Sequence, residues 1–122
     1  MIENIGDSDL LYRRLAPVQV DPDGRANSSA YKRQSLPDQS ISVDLARLTT
    51  PEQALMPVQG RGFGLGVIEA RLPRELGFAV RHDPLPENPA HCLIEGDNSR
   101  EKCRRLAEAT WVIRPPRQQT PL

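Results

Sequence analysis

The stretch FAVRHDPLPENPAHCLIEG, residues 78–96, holds three prolines between two apolar runs. Proline fixes its own φ and drives the residue before it toward an extended conformation, so Pro84, Pro86 and Pro89 predict a rigid bend without helix. Residues 78–82 and 90–95 on either side are rich in strand-forming side chains. This pattern predicts an antiparallel hairpin closed by an ordered proline-rich loop.

The hairpin also indicates a candidate site. Side chains alternate between the two faces of a strand, and residues directly opposite in an antiparallel pair share a face. If His82 lies opposite His91, one face gathers His82, His91 and Glu95 with the apolar residues Phe78, Val80 and Leu93. Two imidazoles beside a carboxylate suit acid–base chemistry, so these three residues are the predicted catalytic candidates.

The remaining chain alternates short strands and helices. Residues 10–20 read as a first strand with a kink at Pro17, and residues 25–39 as a polar loop with a short extended piece near Tyr31. Strict alternation over residues 40–45 predicts a half-buried strand. Capping patterns predict helices after Thr50 and Ser99, and the longest helix carries the second pattern. We expect the side chains of Cys103 and Leu106 on this longest helix, and of Trp111 after it, to be buried.

A length of 122 residues fits one ordinary domain. The order of elements predicts an α+β fold, a mixed and largely antiparallel sheet covered on one face by two short helices and one longer C-terminal helix. We expect a flexible N-terminus over residues 1–9, the domain over 10–114 and a disordered tail over 115–122, because two adjacent prolines precede a polar end.

Composition argues against several classes of function. Sixteen basic and sixteen acidic residues give no net charge, which argues against binding to nucleic acid or to an anionic membrane. No stretch has the length and apolarity of a membrane span or a signal peptide. Two cysteines are too few for a disulfide framework, so we expect a reduced, cytoplasmic protein.

Metal and nucleotide motifs are missing from the sequence. His82, His91, Cys92 and Cys103 lack the paired spacing of zinc ligands, so we predict no metal centre, although a shared ion or proton between the two histidines stays open. The alternating glycines of residues 60–66 match neither phosphate-binding fingerprint. The sequence leaves the cofactor unknown.

Two resemblances add to this reading. LYRR at residues 11–14, followed by SISV at 40–43 and a short helix, resembles the order of elements in ADP-ribosyltransferase-type folds. That resemblance implies that Arg13 and Ser42 hold a nicotinamide cofactor, with Glu69 or Glu95 as a third member. From residue 11 to residue 108, motifs such as GFG at 62–64 and the proline-rich run resemble small bacterial proteins with no assigned function.

The sequence therefore leaves two functional hypotheses. The first is a small accessory module that binds a partner protein through its proline bend, at Pro84, Pro86, Asn88 and Pro89, and through its tail. The second is an enzyme or ligand-binding domain that uses the His82, His91 and Glu95 face, with Arg13, Arg14 and Ser42 as ligand-binding residues. The oligomeric state stays open.

Overall fold

The computed structural model describes residues 2–32 and 40–117. They form a single small α+β domain built on a six-stranded antiparallel sheet. The strands are β1 (Leu10–Leu15), β2 (Ser40–Leu45), β3 (Gly64–Glu69), β4 (Ala79–His82), β5 (His91–Glu95) and β6 (Trp111–Arg114). The helices are α1 (Pro51–Leu55), α2 (Arg71–Glu75) and α3 (Arg100–Glu108). In the sheet the strands follow the order β4-β5-β2-β1-β3-β6.

Strand β1 lies inside the sheet between β2 and β3. It pairs along its whole length with β3, from Leu10 opposite Glu69 to Leu15 opposite Gly64. Leu11 lies opposite Leu45 of β2. Because Leu11 and Leu15 share one face and are both fully buried, that face forms the core.

Helix α3 and a 3₁₀ turn cover the core face. Cys103, Leu106 and Ala107 of α3 pack into the same buried cluster as the inward residues of β1, β2 and β5. The 3₁₀ turn Ser28–Tyr31 packs beside α3, and the Tyr31 hydroxyl lies 2.7 Å from Thr110 Oγ1. The expected extended piece near Tyr31 is therefore wrong, because the Asn27 side chain caps a turn at this point by accepting the N–H of Ser29.

Several elements predicted from local sequence patterns are confirmed. The strand over residues 40–45 is confirmed, with Ile41, Val43 and Leu45 buried as expected. The caps at Thr50 and Ser99 are also confirmed, since their side chains accept the N–H groups of Gln53 and Lys102. Each cap satisfies a helix-end donor that otherwise has no partner.

The predicted burial of Trp111 is wrong. Cys103 and Leu106 are buried as expected, but Trp111 is 64% exposed. It starts the edge strand β6 opposite Val67, on the face of the sheet that α3 does not cover. The apolar stripe of α3 thus ends before Trp111.

The first strand is shorter than predicted. It ends at Leu15, and a 3₁₀ turn over Pro17–Gln19 follows it.

The N-terminal segment, which we expected to be flexible, lies against the domain instead. Ile5 is buried in the core cluster. The backbone N–H of Glu3 donates to His82 Nδ1 at 2.8 Å, and Arg74 Nη2 donates to the Ile5 carbonyl at 2.6 Å. Of the expected tail, Arg117 donates its N–H to the Gly62 carbonyl, and residues 118–122 lie outside the described residues.

The hairpin register differs from the expected one by one residue. His82 lies opposite Cys92 and Val80 opposite Ile94, so His82 faces the core. The next backbone hydrogen bond runs from the Asp83 N–H to the His91 carbonyl. Because His91 precedes Cys92 in β5, its side chain lies on the other face. The predicted common face of His82 and His91 is therefore wrong, because loop closure sets the register and strand alternation alone does not.

Candidate functional site

The candidate site lies on the second face of the sheet, over β2 and β5. Helix α1 covers only the part of this face near β1 and β3, where Leu65 and Val67 are buried with Ala54. Over β2 and β5 the same face carries polar side chains. The cluster consists of Arg14, Ser42, Asp44, His91, Asp83 and Asn88.

His91 is the centre of this polar cluster. Its Nδ1 lies 3.1 Å from Asp83 Oδ2 and 3.0 Å from the Asp83 carbonyl oxygen, and its Nε2 lies 3.2 Å from Ser42 Oγ. Both neighbours of Nδ1 are acceptors, so the neutral ring holds its proton there. Nε2 is then the acceptor, and the Ser42 hydroxyl donates to it.

Asp44 joins the sheet to the helix and to the loop. Only 3% of the residue is exposed. Its Oδ1 accepts the Asn88 amide at 2.8 Å, and its Oδ2 lies 3.6 Å from Arg14 Nη1. The same Arg14 nitrogen donates to the Ala54 carbonyl at the end of α1. A buried carboxylate needs this compensation, since an unpaired buried charge is strongly destabilising.

The proline-rich loop is anchored on both faces of the sheet. On the core face, His82 Nε2 donates to the Pro89 carbonyl at 2.7 Å, since its Nδ1 already accepts the N–H of Glu3. On the polar face, Asn88 donates to Asp44 and also accepts the N–H of Ala90. Leu85 and Asn88 exchange two backbone hydrogen bonds within the loop. The loop therefore has a defined conformation.

A cleft of about 290 Å³ separates this loop from helix α1. Arg14 contributes to its lining, and its side chain is 26% exposed. Two apolar side chains of the lining, Leu48 and Met56, are 40% and 63% exposed. The other lining residues are Thr49, Gln53, Pro57, Glu87, Asn88, Pro89 and Ala90.

The predicted catalytic residues do not meet at one place. His82 is buried on the core face, where it fixes the loop. Glu95 shares the face of His91 but pairs with Arg81, whose Nε lies 2.9 Å from Glu95 Oε1. That contact and the neighbouring Glu95 charge raise the pKa of Arg81. Only His91 lies in the polar cluster.

The predicted ligand-binding residues are also divided. Arg13 points to the core face, where it donates to the carbonyls of Ala30 and Ser42 and lies over the Tyr31 ring. Burial lowers its pKa. Arg14 and Ser42 lie on the polar face. The nicotinamide site implied by the ADP-ribosyltransferase resemblance needs Arg13 and Ser42 together, and their side chains are on opposite faces.

Among the predicted partner-binding residues, Pro86 and Pro89 are exposed and Pro84 is half-buried. Asn88 is an anchor of the loop, because its amide donates a hydrogen bond to Asp44.

Sequence analysis missed Asp44 and Asp83. The one signal for Asp44 was its polar position in an alternating strand, and Asp83 had only its place before a proline.

Neither cysteine has the properties of a nucleophile. Cys92 and Cys103 are both buried. Burial, with the nearby Asp44 charge, raises the pKa of the Cys92 thiol to about 12, so the thiolate is suppressed at neutral pH. Within residues 2–32 and 40–117, no three histidine, cysteine or acidic side chains are placed to hold a metal ion together.

In those same ranges, no helix has the length and apolarity required to cross a membrane. Comparison of the chain with models of known protein families, with curated proteins and with solved structures gave no match.

Proposed function

We propose that this domain is an accessory module of the cytoplasm that binds a partner protein through the proline-rich loop and the adjoining cleft. The observation that carries the proposal is the anchoring of the loop. Asn88 and His82 hold it from opposite faces of the sheet, while Pro86, Glu87 and Pro89 are exposed.

Anchoring favours binding because it removes an entropic cost. Ordering one flexible residue costs roughly 1–2 kcal/mol, and a loop that is already ordered does not lose this on association. The prolines act in the same direction by limiting the free loop to few conformations. A rigid loop with exposed prolines is therefore suited to recognition, and its contact surface is formed before the partner arrives.

Apolar side chains beside the cleft support a protein partner. Leu48 and Met56 are exposed beside it, and methionine adapts its shape to different apolar partners. We expect one apolar side chain of the partner to occupy the cleft, with neighbouring residues against Pro86 and Pro89.

The experiment is capture from a cytosolic extract of the source cells with the purified domain as bait. Three baits are compared: the unchanged chain, Pro86→Ala with Pro89→Ala, and Met56→Asp. A fourth bait, Val18→Asp, is the matched control, because Val18 is 81% exposed and does not line the cleft. Melting curves of all four check that they are folded.

The expected result is one stoichiometric protein that the unchanged chain and Val18→Asp retain and the other two baits lose. Titration of that purified protein should then show at least a tenfold weaker affinity for Met56→Asp, because a charge placed in an apolar contact must be desolvated. Equal recovery by all four baits, or no stoichiometric protein from any of them, would refute the proposal.

A further inference from the structure

We propose that Ser42, His91 and Asp83 form a separate hydrolytic site that accepts acyl groups from small activated esters. Ser42 is the nucleophile, His91 the general base, and Asp83 the residue that positions the ring. The inference is independent of partner binding, since it rests on three side chains of the polar face and does not use the cleft.

The hydrogen bonds assign these roles. The Asp83 carboxylate and carbonyl both accept from Nδ1 of His91, which leaves the lone pair of Nε2 directed at the Ser42 hydroxyl. A nucleophile bonded to a base that a third group orients is the arrangement needed for acyl transfer. The two distances, 3.1 and 3.2 Å, lie at the long end of the range for such contacts without substrate.

The sheet brings the three residues together. Ser42 lies on β2, His91 on the neighbouring strand β5, and Asp83 directly after β4, which pairs with β5. His91 is directly opposite Asp44, so Ser42 is its diagonal neighbour on the same face. His91 is only 9% exposed, whereas Ser42 is half-buried, so part of Ser42 is in contact with solvent.

The reaction balances with water as the only co-substrate. Ser42 Oγ attacks the ester carbonyl carbon while its proton moves to His91 Nε2. The bond to the leaving alcohol then breaks, and the alcohol takes that proton. In the second half, water gives a proton to Nε2 and attacks the acyl carbon. The bond to Oγ breaks, Oγ recovers the proton, and the products are the acid and the alcohol.

The surroundings of Ser42 restrict the substrate. At Ser42 the backbone of β2 pairs with β5, and the Ser42 carbonyl accepts a hydrogen bond from Arg13 Nη1, so these backbone groups are not directed at an oxyanion above the face. Since one oxyanion donor is worth about 10²–10³ in kcat, this site should cleave esters with good leaving groups and leave amides intact.

The test uses the purified full chain with p-nitrophenyl acetate and, separately, a fluorophosphonate probe, followed by peptide mass spectrometry. We expect acetylation and phosphonylation at Ser42. Ser42→Ala should abolish both, and Ser40→Ala, on the same face of β2, should leave both unchanged. Asp83→Asn should lower the rate of acylation at least tenfold and shift its dependence on pH, which loss of a merely structural contact would not do.

Labelling of no residue would overturn the inference, as would labelling at Ser42 with the same rate and pH profile in Asp83→Asn. Hydrolysis that persists in Ser42→Ala would also overturn it. His91→Gln should be inactive as well. If that variant fails to melt cooperatively, Ser42→Ala decides the matter, because it removes one oxygen atom from a half-buried position.

Discussion

Gly64 is the glycine at which an added methyl group would make the shortest contact. It begins β3 opposite Leu15, next to the end of β6, where Arg114 pairs with Leu65. A Cβ built at Gly64 would lie 2.2 Å from the Arg114 carbonyl oxygen and 2.6 Å from the Pro116 nitrogen. Both atoms belong to the backbone, so no side-chain rotation relieves the contact.

The loss of stability in Gly64→Ala can be estimated from these distances. Close carbon–oxygen contacts in proteins lie at about 3.3–3.6 Å, so the chain around Arg114 must move by roughly 1 Å to accept Gly64→Ala. Overpacking of this kind costs about 1–3 kcal/mol. One kcal/mol lowers the melting temperature of a domain of this size by about 4 °C. We therefore expect Gly64→Ala to melt several degrees below the unchanged chain.

Gly6→Ala is the matched control. A Cβ at Gly6 meets only Asp9 Oδ2, at an ordinary 3.6 Å. Both substitutions restrict the unfolded chain to the same extent, so the difference between them isolates the contact with Arg114 and Pro116. Urea unfolding followed by circular dichroism measures both. Equal midpoints for the two variants would refute the predicted close contact of residue 64 with Arg114 and Pro116.

Three further outcomes are expected. Leu106→Ala should lower the free energy of unfolding by about 2–5 kcal/mol, a large part of a typical 5–15 kcal/mol, and an unchanged urea midpoint would place α3 outside the core. Ellman's reagent at pH 8 should leave Cys92 and Cys103 unmodified until urea unfolds the chain, since both thiols are buried; fast modification of the folded protein would contradict this. Contacts with Arg47 lower the pKa of Glu3 below 4.5, so its ionisation stabilises the folded chain above that pH and the contribution disappears as the pH falls through the lowered pKa. Above about pH 5, the free energy of unfolding of Glu3→Gln should therefore be lower than that of the unchanged chain by an amount that does not depend on pH, and the difference should shrink in acid. A constant difference down to pH 2 would contradict this.

The elements that sequence analysis predicted correctly are those with local causes. The alternation of residues 40–45 and the caps at Thr50 and Ser99 depend on residues at most three positions apart. A backbone group that must be satisfied within one turn leaves a signal in the sequence. These elements could be predicted without knowing which strands become neighbours.

The hairpin register had no such local cause. A shift of one residue moved His82 to the core face and left His91 on the polar face. The register depends on how a loop of three prolines closes, and that depends on bonds to Glu3 and Asp44 far along the chain. Alternation alone fits either register equally well.

The site was predicted only in fragments for the same reason. Ser42 and His91 were both candidates, Ser42 for ligand binding and His91 for catalysis, but no local pattern indicates a direct contact between residues 49 positions apart in the chain. Asp44 and Asp83 carry no motif, and their importance comes from burial and from partners on neighbouring strands. Contacts between strands that are distant in sequence specify this cluster.

The central position of β1 has a consequence for the protein during its synthesis. Strand β1 is translated first among the strands, yet its core face needs β2, β3 and finally α3 before Leu11 and Leu15 are covered. At about 5–20 residues per second, the ribosome releases α3 several seconds after β1. For that interval the core face of β1 lacks its cover, and the packing around Leu11 and Leu15 can be completed only when α3 has emerged.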